Sequence, residues 1–130
     1  MFKRKLAKQL ADRLREPRRF AQIVAGARQT GKTTAVLHAL ESLRAPNHFI
    51  SADEPGLAGR EWLRNEWEQA RALAKSNGGA ILVVDEIQKI TEWSSMVKLL
   101  WDEDTRLKTP LKVVLTGSSP LLLKKGLQSL

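Results

Sequence analysis

The sequence predicts an α/β domain in which helices cover a mostly parallel β-sheet. Short apolar runs alternate with amphipathic helical segments along the chain, a succession typical of strand–helix–strand units. The run at residues 80–84 is hydrophobic at every position, as expected of a central strand buried on both faces. A glycine-containing turn follows the first apolar run and opens a helical segment. These three observations together indicate a single packed domain.

Length and composition exclude several classes of protein. The chain has 130 residues, enough for one domain with one core. It contains no cysteine and two histidines, which excludes disulfides, zinc fingers, thiol nucleophiles and His-rich metal sites. No apolar run approaches the ~20 residues needed to span a bilayer, and the charged first residues lack the apolar stretch of a secretory signal. We therefore expect a cytoplasmic protein without a membrane segment.

Residues 1–19 are predicted to form a basic amphipathic helix, which Pro17 closes because the residue before a proline avoids the helical region. The apolar residues recur at every fourth position, and we expect this stripe to dock on the domain itself or on a partner: Phe2, Leu6, Leu10 and Leu14. Residues 1–20 carry +6 of the net charge of +8. Such a segment can bind nucleic-acid phosphates. The absence of aromatic stacking residues favours a solvated helix face instead.

The rest of the chain, residues 20–130, alternates between strands and helices. Strands are predicted over 20–25, 48–53, 80–84 and 111–116, and helices over 32–43, about 58–75 and around 93–101. A further helix is expected to begin at Pro120, whose missing N–H costs nothing in a first helical turn. The four tryptophans lie at helical spacing among aliphatic residues, so we expect them in the core or at an interface: Trp62, Trp67, Trp93 and Trp101.

Residues 26–33, GARQTGKT, match the pattern G-x-x-x-x-G-K-[ST] in full. The pattern lies between a predicted strand and a predicted helix, where loop N–H groups and the helix N-terminus can surround phosphates. Lys32 is expected to reach the β- and γ-phosphates, and Thr33 offers a hydroxyl ligand to Mg²⁺. Arg28 either contacts phosphate or lies in solvent. The candidate nucleotide-binding residues are Gly26, Gln29, Thr30, Gly31, Lys32, Thr33 and Thr34.

Two carboxylates, Asp85 and Glu86, follow the most hydrophobic predicted strand. Ligands bind beyond the carboxyl ends of the strands in parallel sheets of this kind. Asp85 is expected to hold Mg²⁺, directly or through water, together with Thr33. Glu86 can polarise a water for attack on the γ-phosphorus. Alone, the pair could equally be two surface acids, but the phosphate loop favours hydrolysis. The sequence contains no Asn-Lys-x-Asp run, the pattern that would favour guanine, so ATP is the expected nucleotide.

Hydroxyl groups end the fourth predicted strand, at Thr116, Ser118 and Ser119. If this strand lies between the two motif strands, a hydroxyl here can contact the γ-phosphate or the attacking water. Ser118 is therefore a candidate catalytic residue, together with Lys32 and Glu86. A helix N-cap supplied by Ser118 or Ser119 before Pro120 is an equally good interpretation. Asp53 and Glu54 could border the site, although a solvated turn is the preferred interpretation.

With these motifs the chain resembles the ATPase domain of prokaryotic AAA-type P-loop proteins. The resemblance covers almost the whole chain and is carried by residues 26–34, 84–89, Trp93 with 99–102, and 114–119. Arg28-Gln29 and the Asp-Glu-Ile-Gln run are more specific than the phosphate loop alone. Ala27 and Thr30 depart mildly, since members often have proline and valine there. The resemblance implies a three-layer P-loop NTPase sandwich of the AAA/ASCE type with strand order 5-1-4-3-2.

Such relatives continue with another strand, a helical lid and a poorly understood C-terminal domain. The resemblance therefore implies a P-loop ATPase core over residues 20–130 that is truncated after the fourth core strand, with the first strand at an open edge. An arginine finger is not assigned. We expect an ATP-binding, Mg²⁺-dependent ATPase that acts with an unknown protein partner or as a homo-oligomer. The alternatives are a nucleotide-gated interaction module or a nucleic-acid-associated domain with little turnover. A P-loop kinase is disfavoured because no acceptor pocket is recognisable.

Overall fold

The computed structural model describes residues 2–26, 31–53 and 59–118. Its four helices are α1 Phe2–Arg15, α2 Lys32–Leu43, α3 Arg60–Asn77 and α4 Trp93–Leu107. Its four strands are β1 Gln22–Ala25, β2 Asn47–Ser51, β3 Ala80–Asp85 and β4 Leu111–Gly117, and a 3₁₀ turn covers Ile87–Lys89. Several residues singled out in the sequence lie outside the described residues: Arg28, Gln29, Thr30, Glu54, Ser119 and Pro120.

The described strands form one parallel sheet in the order β1-β4-β3-β2. The expected order 1-4-3-2 is therefore confirmed, and β4 lies between the two strands that carry the motifs. The central strand β3 is buried at five of its six positions, which explains why its sequence does not alternate between apolar and polar residues. Within the described residues, β1 pairs with β4 alone.

Helices cover both faces of the sheet, which confirms the predicted three-layer arrangement. Leu82 and Val84 of β3 pack into a core that includes residues of α3 and α4. Ile81 and Val83, pointing to the opposite face, pack with residues of α1 and α2. The tryptophans behave as predicted: Trp67, Trp93 and Trp101 are buried, and Trp62 is a partly buried residue packed against the first core.

The apolar stripe of α1 docks on this domain from Leu6 to Leu14, and the side chain of Phe2 lies outside the described part of the chain. Leu10, Ala11 and Leu14 are buried in the core shared with α2, and Leu6 packs against it. The Lys112 ammonium, from the second residue of β4, donates to the carbonyl of Leu14 and, at 2.8 Å, to that of Glu16. A cation is favourable there because the last carbonyls of a helix have no intrahelical partner. The described basic side chains of α1 are exposed on its outer face: Arg4, Lys5, Lys8, Arg13 and Arg15.

Arg18 joins the segment after α1 to the opposite face of the sheet. Its guanidinium donates to the Leu111 carbonyl at 2.7 Å and to the Thr105 hydroxyl at 2.8 Å. It also lies 3.7 Å from the centroid of the Trp101 ring, a cation–π distance. Burial lowers the pKa of Arg18, and the charge of Asp104 acts in the opposite direction. One cation of the basic N-terminal segment is therefore a tertiary contact.

A buried polar cluster joins α3 to α4, and no pattern in the sequence indicates it. Asp104, fully buried, accepts the Trp67 indole N–H at 2.7 Å and lies 2.6 Å from Nε of Arg71. Arg71 also donates to the Leu100 carbonyl at 2.9 Å and to Glu103 at 3.2 Å. Burial by itself lowers the pKa of Arg71, but the neighbouring carboxylates, Asp104 foremost, raise it above its usual range.

None of the described helices is long and apolar enough to cross a membrane.

Candidate functional site

The carboxyl ends of the parallel strands meet at one edge of the sheet. Ser51 pairs in register with Asp85, and Ala25 with Gly117. The N–H of Gly26, which follows β1, donates to the Gly117 carbonyl at 3.1 Å. The polar residues that end β2, β3 and β4 therefore lie side by side, next to the residue that opens the phosphate loop.

The helix α2 begins at this edge with its first N–H groups unsatisfied by a side-chain cap. Its N-cap, Gly31, has a φ of 85°, a left-handed conformation that favours glycine. No acidic residue lies in the first turn, so nothing within it competes for the positive end of the helix dipole. The first residues of α2, Lys32, Thr33 and Thr34, therefore present the N–H groups and partial positive charge that bind phosphates.

The Asp85 carboxylate accepts hydrogen bonds from hydroxyl groups of three elements. Thr33 donates to Oδ1 at 3.5 Å, Ser51 donates to Oδ2 at 3.4 Å, and Thr116 donates a short hydrogen bond to Oδ1. Thr116 thus contacts the carboxylate. Ser51 also belongs to this site, although it lies outside the sequence motifs. The sequence signal for Ser51 is a hydroxyl residue at the carboxyl end of β2. It points to the site only when the register of β2 with β3 is known.

Glu86 is buried at the start of the turn after β3, with an exposed fraction of 5%. Its φ of 57° is uncommon for a residue with a side chain, and such conformations cluster at functional sites. Ser118 donates to its Oε2 at 3.1 Å, and the Gln88 amide does so at 3.3 Å. The Lys32 ammonium, also buried, lies 3.8 Å from Oε1. The predicted catalytic residues Lys32, Glu86 and Ser118 are thus brought together.

Comparison with known proteins identifies the family of this chain. A family model described as an AAA domain matches residues 18–130, most of the chain. The chain belongs to the AAA domain family. This is a family of nucleotide-binding AAA+ ATPases, as the sequence resemblance implied. The AAA domain matches none of the curated proteins.

A solved structure shares the fold of the AAA domain. The Orc1 protein of Aeropyrum pernix, in complex with DNA, superposes with a TM-score of 0.68 and 16% sequence identity. The match covers 95% of the AAA domain and 39% of the Orc1 chain. At this level of identity the likeness shows the fold alone, an α/β P-loop fold of the AAA+ type.

The donor set at the carboxyl edge of the AAA domain fits Mg²⁺ bound together with phosphates. Among the described residues, no three His, Asp or Glu side chains cluster closely enough to hold a metal ion by themselves. Thr33 and Asp85 supply one hydroxyl and one carboxylate within 3.5 Å of each other. Mg²⁺ is usually held by one or two carboxylates and completes its shell with water and substrate phosphates, so two protein ligands are sufficient.

Asp53 lies at the rim of this edge. It is exposed and forms an ion pair with Lys89, three residues after Glu86. It lies in a turn, as the preferred interpretation of the sequence had it. The alternative interpretation, in which Ser118 caps a following helix, involves residues after 118, which lie outside the described residues.

Proposed function

We propose that the AAA domain binds ATP with Mg²⁺ and hydrolyses it to ADP and phosphate. The observation that carries the proposal is the convergence of three groups at one sheet edge. These are the uncapped first turn of α2 with Lys32, the Thr33–Asp85 pair, and the buried carboxylate of Glu86. A cation, a metal-ligand pair and a general base are the groups that phosphate-anhydride hydrolysis uses.

ATP binding rests on the phosphate loop and the start of α2. Gly26, Gln29, Thr30 and Gly31 belong to the sequence motif whose N–H groups we propose as the phosphate ligands. Lys32 and Thr34 continue this surface into the helix, and the Lys32 ammonium pairs with the terminal phosphates. Thr33 and Asp85 would hold Mg²⁺, which supplies neutralisation of phosphate charge when bound.

Hydrolysis needs a base beside the terminal phosphate. Glu86 accepts a proton from water while the water oxygen forms a bond to the γ-phosphorus. The bond from that phosphorus to the bridging oxygen breaks, and ADP leaves with the electron pair. The Lys32 ammonium stabilises the negative charge on the phosphates. Ser118, 3.1 Å from Oε2 of Glu86, holds the carboxylate in place and is the candidate contact to the γ-phosphate or the water.

The substitution Glu86→Gln tests this proposal because it keeps the shape of the side chain and removes the base. We expect steady-state phosphate release to fall by about 10²–10⁴-fold, the usual contribution of general acid–base catalysis. ATP affinity by calorimetry should persist. Glu41→Gln is the matched control, since Glu41 is exposed on α2, and it should keep full turnover.

Two outcomes would contradict hydrolysis through Glu86. Unchanged turnover in the Glu86→Gln protein removes this residue from its role. Stoichiometric ATP binding without turnover in the unmodified protein, with an ATP-dependent change of oligomeric state, supports a nucleotide-gated interaction module instead.

A second candidate function, nucleic-acid binding, is favoured by the outer face of α1. Arg4, Lys5 and Lys8 are exposed there, because the opposite face of the helix docks on the core. Closely spaced cations on a helix can neutralise successive phosphates and release counterions. The structural neighbour was solved with DNA, which is a property of that protein.

Charge neutralisation tests this second function better than deletion of the helix, since α1 contributes to the core. We expect the triple variant Arg4→Gln, Lys5→Gln, Lys8→Gln to weaken binding of a random-sequence DNA duplex. The slope of log K against log salt should become shallower by about one unit for each phosphate that is no longer neutralised. Neutralising the exposed Lys75, Lys98 and Arg106 is the control for net charge. Equal weakening in both variants, or no DNA binding at low salt, would exclude a site on α1.

A further inference from the structure

Gln88 is held rigidly beside Glu86. It occupies the middle of the 3₁₀ turn Ile87–Lys89. The Lys89 N–H donates to the Glu86 carbonyl at 3.1 Å, and the Ile90 N–H donates to the Ile87 carbonyl at the same distance. Ile87 and Ile90 are buried in the core on either side. The turn therefore fixes the direction in which the Gln88 side chain leaves the backbone.

The amide of Gln88 faces the carboxylate of Glu86. Its Nε2 lies 3.3 Å from Oε2 of Glu86 and 3.5 Å from the Ser118 hydroxyl. The orientation of the amide follows from chemistry, because a carboxylate oxygen accepts hydrogen bonds and the amide oxygen cannot donate one. The nitrogen must therefore face Glu86, and the amide oxygen points elsewhere.

That oxygen, Oε1 of Gln88, is buried without a hydrogen-bond donor in the described part of the chain. A buried acceptor left without a donor is costly because it has given up its hydrogen bonds to water, and a catalytic role or a bound water is among the explanations for such a group. Here the acceptor belongs to the same amide that holds the base. An amide that donates to the base and still has an acceptor can bind the molecule from which the base takes a proton.

We propose that Gln88 orients the attacking water: its Nε2 fixes Glu86, and its Oε1 accepts a hydrogen bond from that water. Water has two protons, of which Glu86 takes one and Gln88 holds the other. A lone pair of the water oxygen then points at the γ-phosphorus, and no proton is transferred to the amide. This inference rests on the proposed hydrolysis of ATP and adds a residue that the sequence motif left without a role.

The test is the substitution Gln88→Met, which keeps the length of the side chain and removes both the donor and the acceptor. We expect kcat for ATP hydrolysis to fall about tenfold or more, since the general base contributes about 10²–10⁴-fold and depends on this water. The Kd for Mg-ATP should change by less than about threefold. The reason is that the amide contacts Glu86 and Ser118, rather than the residues proposed to bind the phosphates. A residue with a purely structural role would change binding and the thermal midpoint together.

A matched control exists in the same protein. Gln69 donates from its Nε2 to Glu66 at 3.0 Å on the exposed surface of α3, an amide–carboxylate pair like that of Gln88. Gln69→Met should leave both kcat and Kd unchanged. Gln88→Glu serves as a second variant if Gln88→Met does not fold. This change adds a carboxylate beside Glu86, so it should also be slow, and its Kd for Mg-ATP is compared with that of Gln88→Met to separate charge repulsion from loss of the amide.

The same samples separate failure of this inference from failure of the proposed function. If the unmodified protein hydrolyses ATP and Glu86→Gln abolishes it, a Gln88→Met protein with normal kcat overturns the role of Gln88 alone. Loss of ATP affinity in proportion to the loss of rate also overturns it. Absence of turnover in the unmodified protein, with ATP bound, overturns hydrolysis and the role of Gln88 together. In the Glu86→Gln background, a further loss from Gln88→Met would contradict action through the same water.

Discussion

Lys32 is the residue of α2 that we propose to pair with the phosphates of the nucleotide. Its ammonium is buried, 3.8 Å from Oε1 of Glu86, and continues the uncapped first turn of α2. Lys32→Ala should weaken Mg-ATP binding by roughly 10- to 100-fold, because a hydrogen bond to a charged group contributes about 1.5–3 kcal/mol. Calorimetric titration measures the change, with the exposed Lys75→Ala as control. An unchanged Kd would contradict phosphate binding by Lys32.

Asp104 is the residue on which the polar packing of α3 against α4 depends. It accepts the Trp67 indole N–H and is the nearest counter-charge to Arg71. Asp104→Asn should lower the free energy of unfolding by about 3 kcal/mol, because breaking a buried pair leaves its partner uncompensated. Arg71 keeps its ion pairs with Glu103 and Glu68, so the loss should lie at the low end of the range for broken buried pairs.

Chemical denaturation measures this loss, and Asp102→Asn is its control. Asp102 forms an ion pair with Lys98 on the exposed face of the same helix. Pairs of this kind contribute about 0–1 kcal/mol, so the control should be near neutral. Equal stability of the two variants would show that the buried cluster is not required for packing.

Among the elements, α1 belongs to the core as much as to the surface. Leu14 is buried against α2 and the sheet, and its carbonyl accepts from Lys112 of β4. Leu14→Ala should destabilise the protein by about 2–5 kcal/mol, the range for truncating a buried leucine. Neutralising Arg4, Lys5 and Lys8 on the opposite face should change stability by under about 0.5 kcal/mol. Equal effects of the two changes in urea denaturation would contradict this packing.

The periodicity of the sequence predicts the elements well because each one is long enough to show its own pattern. The helix over 32–43 has the bounds of α2, and the continuous apolar run forms the central strand β3. The 3₁₀ turn at Ile87–Lys89 is not predicted, since three residues are too few for a period to appear. Motif spacing likewise identifies Lys32, Asp85 and Glu86, which lie at the ends of a helix and a strand.

The partners of these residues could not be predicted, because they come from elements distant in the chain. Ser51 reaches Asp85 only through the register of β2 with β3, and Ser118 reaches Glu86 only because β4 lies beside β3. Arg18 counts as surface charge in the composition, yet its hydrogen-bond partners lie 83 to 93 residues away and make it a tertiary link. Local sequence specifies which groups are present, and topology decides which groups meet.

At the scale of the whole molecule, the candidate site and the cations that join the segment after α1 to β4 lie at opposite ends of the strands. The first turn of α2, which we propose to bind phosphate, lies with Asp85 and Glu86 at the carboxyl edge. Arg18 and Lys112 form their hydrogen bonds at the amino end of β4 and the end of α1. The two sets lie at opposite ends of the strands, so the effects of changing them should be close to additive. This division predicts that ligand binding and intrinsic stability can be altered separately.

Unfolding with and without Mg-ATP measures both properties at once. At a nucleotide concentration about one hundred times Kd, the unmodified protein should gain about 2.7 kcal/mol of stability by mass action. Leu14→Ala should lower stability in both conditions while retaining this gain, because the Leu14 carbonyl meets Lys112 at the amino end of β4, away from the phosphate-binding edge. Lys32→Ala should lose about half of the gain or more at the same nucleotide concentration. If Leu14→Ala also abolished the gain, docking of α1 would be coupled to the nucleotide site, and the two edges would act as one cooperative unit.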